Sequence, residues 1–243
     1  MRILVIPDIH LKDWVFDRAE KILEVGEADR AVCLMDIADD YGQAYNLDQY
    51  IKTYDRAIAF AKKFPDTLWC YGNHDVCYEI NMRETGYSKI AGYTVCTKLG
   101  ELERSLPDPD QLGFIHRVDN LLFMHGGFCS YFADDAIPED IVEDVDKTVH
   151  YINHEIPKMM MWGDWTPLWY RPQIGYRYPL YKENELLQVV GHTPVKYPMM
   201  ANGVLSCDTF STSSDKTPFG SQEFVIIDSE TKEWKTVPSG KYE

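Results

Sequence analysis

Three apolar stretches in the first third of the chain each end in polar side chains. They read RILVIPDIH, ADRAVCLMDIADD and DTLWCYGNHD. Each is a short apolar run of the kind that forms a buried strand. Between them, DWVFDRAEKILEVGE and residues 47–64 place apolar side chains at helical spacing. The alternation of strand and helix predicts an α/β fold with a parallel sheet.

The pattern changes in the rest of the chain. Glycines and prolines punctuate residues 76–112, where we expect loops and short helices. GFIHRVDNLLFMHGG predicts a hairpin around the turn VDN, and PEDIVEDVDKTVHYINHEIPK predicts a helix. Residues 161–184 are expected to be irregular, and strands return in LLQVVGHTP, NGVLSCDT, EFVIID and EWKTV. We expect a single domain over residues 1–243, with helical and loop insertions near 76–112 and 128–185.

Composition narrows the possible partners and compartment. A net charge of −15 argues against general binding to nucleic-acid backbones, which needs clustered Lys and Arg. No run of about 18 apolar residues predicts a membrane span, and the apolar start lacks a leader's cleavage signal. Six scattered cysteines without a CxxC pair indicate reduced thiols, so we expect a cytoplasmic protein. The sequence leaves the oligomeric state open.

Polar residues at the predicted strand ends form a candidate site. Ligands of open α/β sheets bind where the carboxyl ends of the strands meet. Carboxylates, imidazoles and an amide oxygen are typical ligands of a divalent cation. Asp8 and His10 share one face of their strand and can reach one ion, which Asp36 could join to a second. In chain order the residues are Asp8, His10, Asp36, Asp39, Asn73, His74, Asp75, His125, Gly191 and His192.

Five short blocks, DIH, MDIAD, GNHD, HGG and GHTP, follow one another between residue 8 and about residue 194. In this order they resemble the calcineurin-like metallophosphoesterase superfamily. The resemblance implies a central β-sandwich flanked by helices, with two divalent metal ions at one edge. It also implies a hydrolase acting on phosphoric ester or phosphoanhydride bonds.

The resemblance assigns roles to individual residues. It implies that a hydroxide bridging the two ions is the nucleophile, that His74 protonates the leaving oxygen and that Asp39 orients His74. Asp75 would support the site or cap a turn. Manganese is the first expectation for the metal, with iron, zinc, cobalt and nickel as alternatives. The implied ligands are Asp8, His10 and Asp36 for the first ion, and Asp36, Asn73, His125 and His192 for the second.

Two features of the blocks point to one branch of the superfamily. Pro194 in GHTP stands where many members have a second histidine. This pattern is similar to the branch of Ser/Thr protein phosphatases and diadenosine tetraphosphate hydrolases. SCDT, with Asp208 at a predicted strand end, also resembles that branch.

Two other positions depart from the family pattern. Met35 stands where the second block usually begins with glycine, and Asp40 stands where the protein-phosphatase form has a phosphate-binding arginine. Another positively charged side chain must then bind the phosphate. Arg171 is the first candidate and Arg177 the second, because this branch places an arginine between the last two histidines.

The sequence leaves several functions open. The first is a phosphomonoesterase or Ser/Thr-phosphatase-like enzyme, and the second is a hydrolase of dinucleoside polyphosphates or cyclic nucleotides. A third is a binding module that keeps its metals without turnover. The substrate would be a phosphorylated small molecule, a nucleotide or a phosphoprotein.

Aromatic and histidine residues outside the blocks have two interpretations. Trp162, Trp165 and Trp169 could stack a flat substrate, although such clusters more often pack under a loop. His150 and His154 lie one helical turn apart, as in a zinc site, yet no Glu follows the first histidine as in a metalloprotease helix. An exposed helix face is favoured there.

Overall fold

The computed structural model describes residues 1–174 and 178–242, which form two β-sheets flanked by helices. The strands are β1 (Arg2–Ile6), β2 (Arg30–Cys33), β3 (Leu68–Cys70), β4 (Leu112–Gly113), β5 (Ile115–Val118), β6 (Leu121–Met124), β7 (Leu187–Val190), β8 (Met199–Ala201), β9 (Val204–Ser206), β10 (Glu223–Asp228) and β11 (Trp234–Pro238). The helices are α1 (Trp14–Glu24), α2 (Leu47–Lys63), α3 (Asn73–Glu79), α4 (Gly92–Ser105), α5 (Ser130–Ala136), α6 (Glu139–Val142) and α7 (Val145–His154). Short 3₁₀ helices cover Pro109–Gln111 and Lys158–Met161.

Each sheet has a parallel centre and at least one antiparallel neighbour. The strand order is β11-β10-β1-β2-β3-β4 in the first sheet and β5-β6-β7-β9-β8 in the second. Strands β1, β2 and β3 run parallel to one another, as do β6, β7 and β9. Strands β10, β11, β5 and β8 pair antiparallel. The predicted α/β class and sandwich are confirmed, and both sheets are mixed rather than purely parallel.

Both faces of the central strands are buried. In β1, Ile3 and Val5 belong to the core between the two sheets, whereas Leu4 and Ile6 belong to the core under the helices. A strand buried on both faces carries apolar residues at every position. This burial explains the continuous apolar run ILVI that follows the exposed Arg2 in β1.

The predicted helix from Pro138 onward is wrong as one unit. Helix α6 ends at Val142 and α7 begins at Val145. Between them, the Asp144 carboxylate accepts hydrogen bonds from the backbone N–H groups of Asp146 and Lys147. Such N-caps satisfy the first free N–H groups of a new helix, so Asp144 starts a second helix.

The expectation of only short helices between residues 76 and 112 is also wrong, because α4 has 14 residues. Its buried side chains, Val95, Leu99 and Leu102, recur at helical spacing. Gly92 and Gly100, which suggested a loop, lie at the first position and inside this helix. Packing of the apolar stripe outweighs the cost of about 1 kcal/mol for a glycine within a helix.

Other expectations hold for the described residues. Strands β5 and β6 form the predicted hairpin, with Ile115 opposite Met124. The four carboxyl-terminal strands are present, and the additional edge strand β8 was not predicted. All six cysteines are free thiols. In the part of the chain that the structure describes, no helix has the length and apolar character to cross a membrane.

Candidate metal centre

The predicted ligands lie where the carboxyl ends of parallel strands from both sheets meet. Strands β1, β2 and β3 come from the first sheet, and β6 and β7 from the second. A hydrogen bond joins the two sheets here, since the backbone N–H of His192 donates to the side-chain oxygen Asp8 Oδ1 at 2.8 Å. The six side chains, in strand order, are Asp8 and His10 after β1, Asp36 after β2, Asn73 after β3, His125 after β6 and His192 after β7.

The first candidate ion position is formed by Asp8, His10 and Asp36, whose ligand atoms all lie within 4.8 Å of one another. His10 Nδ1 is 2.9 Å from the carbonyl oxygen of Asp39, to which it donates. That hydrogen bond leaves the lone pair on Nε2, which is 3.9 Å from Asp36 Oδ2. His10 is therefore oriented to bind a cation through Nε2.

The second candidate position is formed by Asp36, His125 and His192, again within 4.8 Å of one another. His125 Nε2 is 3.1 Å from Asp36 Oδ2, 2.9 Å from Asn73 Oδ1 and 3.2 Å from His192 Nδ1. The other ring nitrogen of His125 donates to the carbonyl oxygen of Leu34 at 2.9 Å. Asp36 thus belongs to both positions, as a bridging carboxylate requires.

The residues present fit divalent cations. Asp8 Oδ2 and His192 Nε2 are buried and have no hydrogen-bond partner among the described residues. Burial and the neighbouring carboxylate of Asp208 raise the pKa of Asp8 well above its usual value. A buried carboxylate oxygen without a partner is costly, and a bound cation would remove that cost. The mixed oxygen and nitrogen ligands suit a transition-metal ion.

Glycines in two of the blocks leave room for the ligands. A Cβ atom at Gly72 would overlap Asp36 Oδ1 and lie 2.8 Å from Asp36 Cα. A Cβ atom at Gly191 would overlap Asp8 Oδ2 and lie 3.0 Å from Asp8 Cγ. In addition, the N–H of His74 donates to Asp36 Oδ1 at 2.8 Å. The glycines of GNHD and GHTP therefore let the backbone hold each carboxylate at close range.

Met35, the departure from the family pattern, has a left-handed backbone with φ of 55°. Glycine adopts this conformation without strain, whereas other residues lose about 1–2 kcal/mol. The Met35 side chain is fully buried in the core under the helices. Burial of that side chain offsets the strain, so the turn before Asp36 forms without glycine.

His74 and Asp39 form a hydrogen-bonded pair beside the candidate ions. His74 Nδ1 is 3.1 Å from Asp39 Oδ2, and Asp39 Oδ1 accepts from the hydroxyls of Tyr50 at 2.6 Å and Tyr78 at 2.5 Å. Burial would lower the pKa of His74, but the carboxylates of Asp36 and Asp39 raise it to about 9. These two carboxylates therefore favour the protonated form of the imidazole.

Asp75 supports the loop after β2. Its carboxylate accepts from the N–H groups of Ile37 at 3.1 Å and Ala38 at 3.3 Å, and from the hydroxyl of Tyr54 at 2.7 Å. Neither Tyr50 nor Tyr54 was predicted as a site residue. They lie one turn apart on the buried face of α2, and two hydroxyls on an apolar face are the signal that could have identified them.

Arg171 is half-buried and lines the pocket at the site, with Nη1 donating to the carbonyl oxygen of His192 at 2.7 Å. The glycines after His125 position the segment that carries it. Gly126 donates to the carbonyl oxygen of Pro167 at 2.7 Å, and Gly127 to that of Tyr170 at 2.7 Å. The second candidate, Arg177, lies outside the described residues.

Asp40, which stands where a phosphate-binding arginine was expected, is neutralised locally. Lys12 Nζ is 3.0 Å from Asp40 Oδ2, and the hydroxyl of Thr212 donates to the same oxygen at 3.0 Å. These contacts reduce the repulsion that Asp40 exerts on an anionic substrate.

The site opens into a pocket of about 240 Å³ whose walls include Trp169, Arg171, His74 and Glu84. Trp169 lines the pocket. Trp162 packs edge-on against Trp169, with the two ring centroids 4.8 Å apart. Stacking of a flat substrate therefore stays a prediction for Trp169.

His150 and His154 are exposed on α7, and His154 Nε2 is 3.4 Å from Asp110 Oδ1. Among the described residues, clusters of three metal-ligating side chains occur only at the strand-end site. The exposed helix face remains the favoured interpretation of this histidine pair.

Comparison with known proteins supports these observations. The family model described as calcineurin-like phosphoesterase matches residues 1–214. No curated protein matches the chain by sequence.

Solved structures share the fold at low identity. A cold-active protein-tyrosine phosphatase of a psychrophilic Shewanella species is 16% identical, with a TM-score of 0.56, over 97% of this chain and 80% of that chain. A protein serine/threonine phosphatase from Saccharomyces cerevisiae, described as similar to human PP5, is 12% identical, with a TM-score of 0.56, over 100% of this chain and 81% of that chain. At such identities the likeness establishes the fold alone.

Proposed function

The chain belongs to the calcineurin-like phosphoesterase family and is a hydrolase of phosphoester bonds; on this basis we propose that it is a phosphomonoesterase with a two-metal centre. One observation carries the proposal. Asp36 Oδ2 lies 3.9 Å from His10 Nε2 and 3.1 Å from His125 Nε2, between the two groups of candidate ligands.

Two divalent ions would be held by the six strand-end side chains. The first ion would bind Asp8, His10 and Asp36, and the second would bind Asp36, Asn73, His125 and His192. Bound ions of this kind lower the pKa of a coordinated water and neutralise charge on phosphoryl oxygens. Manganese is the first candidate, with iron, zinc, cobalt and nickel as alternatives.

Other polar side chains of the pocket bind the phosphoryl group and supply a proton. Arg171 holds the non-bridging phosphoryl oxygens through its guanidinium group, whose preference for phosphate is geometric as well as electrostatic. His74 donates a proton to the leaving oxygen, because Asp39 accepts from its Nδ1–H and leaves Nε2–H for the substrate. Tyr50 and Tyr78 fix Asp39 in this role.

The charge of the pocket favours monoesters over diesters. A monoester presents a terminal phosphoryl group with two negative charges, and Arg171, protonated His74 and two metal ions would all attract it. A diester carries only one negative charge, so the same cations attract its phosphoryl group less strongly. Anhydrides such as dinucleoside polyphosphates remain the alternative to be tested.

The test combines elemental analysis with a small substrate panel. Protein reconstituted with Mn²⁺ is assayed with para-nitrophenyl phosphate, bis(para-nitrophenyl) phosphate and diadenosine tetraphosphate. We expect metal-dependent hydrolysis of the monoester to exceed the other two at least tenfold. His125→Ala should abolish it, while the matched control His150→Ala, on the exposed face of α7, should not.

Each other outcome decides against the proposal. Faster hydrolysis of the diester or of the dinucleotide would replace the monoesterase assignment. Metal binding without hydrolysis of any of the three substrates would favour the binding module instead.

A further inference from the structure

A groove of about 340 Å³ adjoins the metal pocket on the side of the loop between α3 and α4. Glu84 and Gly86 line both cavities, so the two adjoin each other at this loop. We call it the α3–α4 groove; Tyr45, Arg83, Tyr87 and Lys89 also line it. The proposed phosphomonoesterase reaction uses none of these four side chains.

The loop that forms this groove is fixed to the catalytic pair. The hydroxyl of Tyr78 accepts from the N–H of Ser88 at 2.8 Å while it donates to Asp39. Ser88 Oγ in turn accepts from the N–H of Ala91 at 3.1 Å. Tyr87 stacks on Tyr78 with ring centroids 4.5 Å apart. The groove is therefore built on the same hydroxyl that positions Asp39.

Among the described residues, two cations that line the groove have no ion-pair partner. Arg83 and Lys89 are exposed, and within residues 1–174 and 178–242 neither side chain makes a hydrogen bond or an ion pair. In a chain of net charge −15, other cations such as Arg56 and Lys63 face carboxylates. Unpaired cations beside a phosphate-binding pocket are positioned to meet a second anion.

We propose that the α3–α4 groove is a second anion-binding subsite, which binds a negatively charged group of the substrate other than the phosphoryl group that is hydrolysed. The inference rests on the proposed function, because that function places the reacting phosphoryl group at the metal pocket. Glu84 lies between the two cavities and repels an anion at that point. A linker with hydroxyl donors satisfies its carboxylate, so the substrate class is a polyhydroxylated bisphosphate.

The experiment compares two ligands that differ by one phosphate. Fructose 6-phosphate and fructose 1,6-bisphosphate are measured as competitive inhibitors of para-nitrophenyl phosphate hydrolysis and, by calorimetry, as ligands of the manganese-loaded protein. We expect the bisphosphate to bind at least about fivefold more tightly, since each exposed ion pair contributes about a two- to fivefold gain. The preference should shrink as ionic strength rises.

Substitutions locate the second phosphate. Arg83→Gln and Lys89→Gln should each reduce the preference for the bisphosphate about two- to fivefold, and the double variant should remove it. Arg83→Lys should keep most of the preference for the bisphosphate. Lys62→Gln, on the exposed surface of α2, should leave that preference unchanged. Equal binding of both sugars, or a preference that survives the double variant, would overturn the inference. If the protein hydrolyses no monoester but still binds the bisphosphate more tightly than the monophosphate in calorimetry, only the phosphomonoesterase proposal would be overturned.

Discussion

The carboxylate of Asp36 occupies the space in which a side chain at residue 72 would begin. A Cβ atom on Gly72 would overlap Asp36 Oδ1 and lie 2.8 Å from Asp36 Cα. Asp36 is also the side chain shared by both candidate ion positions. The glycine that opens GNHD is therefore a steric requirement of the candidate metal centre.

Gly72→Ala should displace Asp36 and lower metal affinity or activity at least about tenfold, because groups that orient a metal ligand contribute on that scale. Elemental analysis and the monoester assay measure both effects. Gly100→Ala is the matched control, since its nearest neighbour is the flexible end of Arg104 at 3.3 Å. That control should fold normally and gain up to about 1 kcal/mol of stability, because alanine favours helix. Full metal content in Gly72→Ala would contradict the steric argument.

His74→Ala should lower kcat for monoesters about 10²- to 10⁴-fold, the usual contribution of a general acid. The loss should be larger for phenyl phosphate than for para-nitrophenyl phosphate, because the poorer leaving group depends more on the proton. Metal content should stay unchanged, and His154→Ala, on exposed α7, serves as the control. Equal losses on the two esters would rule out proton donation by His74.

Arg171→Lys should raise KM for para-nitrophenyl phosphate about tenfold, because charge-assisted hydrogen bonds contribute about 1.5–3 kcal/mol and lysine lacks the second donor. Steady-state kinetics in the manganese-loaded enzyme give KM and kcat separately. Arg104→Lys, on the exposed side of α4, should leave both constants as they are. An unchanged KM in Arg171→Lys would mean that the phosphoryl group is held by another cation.

Asp75→Ala should lower the free energy of unfolding by about 2–3 kcal/mol, because it leaves buried donors without an acceptor. The affected donors are the N–H groups of Ile37 and Ala38 and the hydroxyl of Tyr54. Urea unfolding measures the loss, and Asp134→Ala at an exposed position is the control. A loss no larger than the control's would show that water replaces the carboxylate.

His116 should make stability depend on pH. It donates from Nε2 to the carbonyl oxygen of Trp69 at 2.9 Å, and burial lowers its pKa from 6.5 to about 4. The unfolded chain therefore binds a proton that the folded protein excludes. The contribution of neutral His116 to the free energy of unfolding is fully present above pH 6.5. It is lost as pH falls toward 4, by at most about 3 kcal/mol.

His116→Gln tests this assignment, because its amide can still donate to Trp69 and does not titrate. Between pH 7 and pH 4.5, urea unfolding should show a smaller loss of stability in the variant than in the unchanged protein. Identical losses would assign the pH dependence to other groups.

The candidate ligands could be predicted because each follows a short apolar strand. Parallel strands of one sheet end at one edge, so residues as far apart as Asp8 and Asn73 come together. The strand-end pattern also included His125 and His192, but only the family resemblance assigned them to one ion with Asn73, because strand patterns alone do not place the second sheet next to the first. What the ligands bind stays a prediction for the elemental analysis.

The supporting contacts could not be predicted from local patterns. Tyr78 reaches Asp39 across 39 residues, and Tyr50 reaches it from the buried face of α2. Both contacts depend on how helices pack on the first sheet, and apolar periodicity shows only that these faces are buried. The break before Asp144 was missed for another reason, since acidic residues occur both in first turns and at N-caps.

Because the candidate ligands come from two sheets, a bound cation would also stabilise the fold. Asp8 and Asp36 come from one half of the sandwich, and His125 and His192 come from the other. A cation bound by both halves is a cross-link, and at 100 times its dissociation constant it would add about 2.7 kcal/mol to the folded state. Without the metal, the protein would lose this stabilisation as well as its activity. It would then unfold and be degraded more readily, so its abundance in a cell would follow the metal supply.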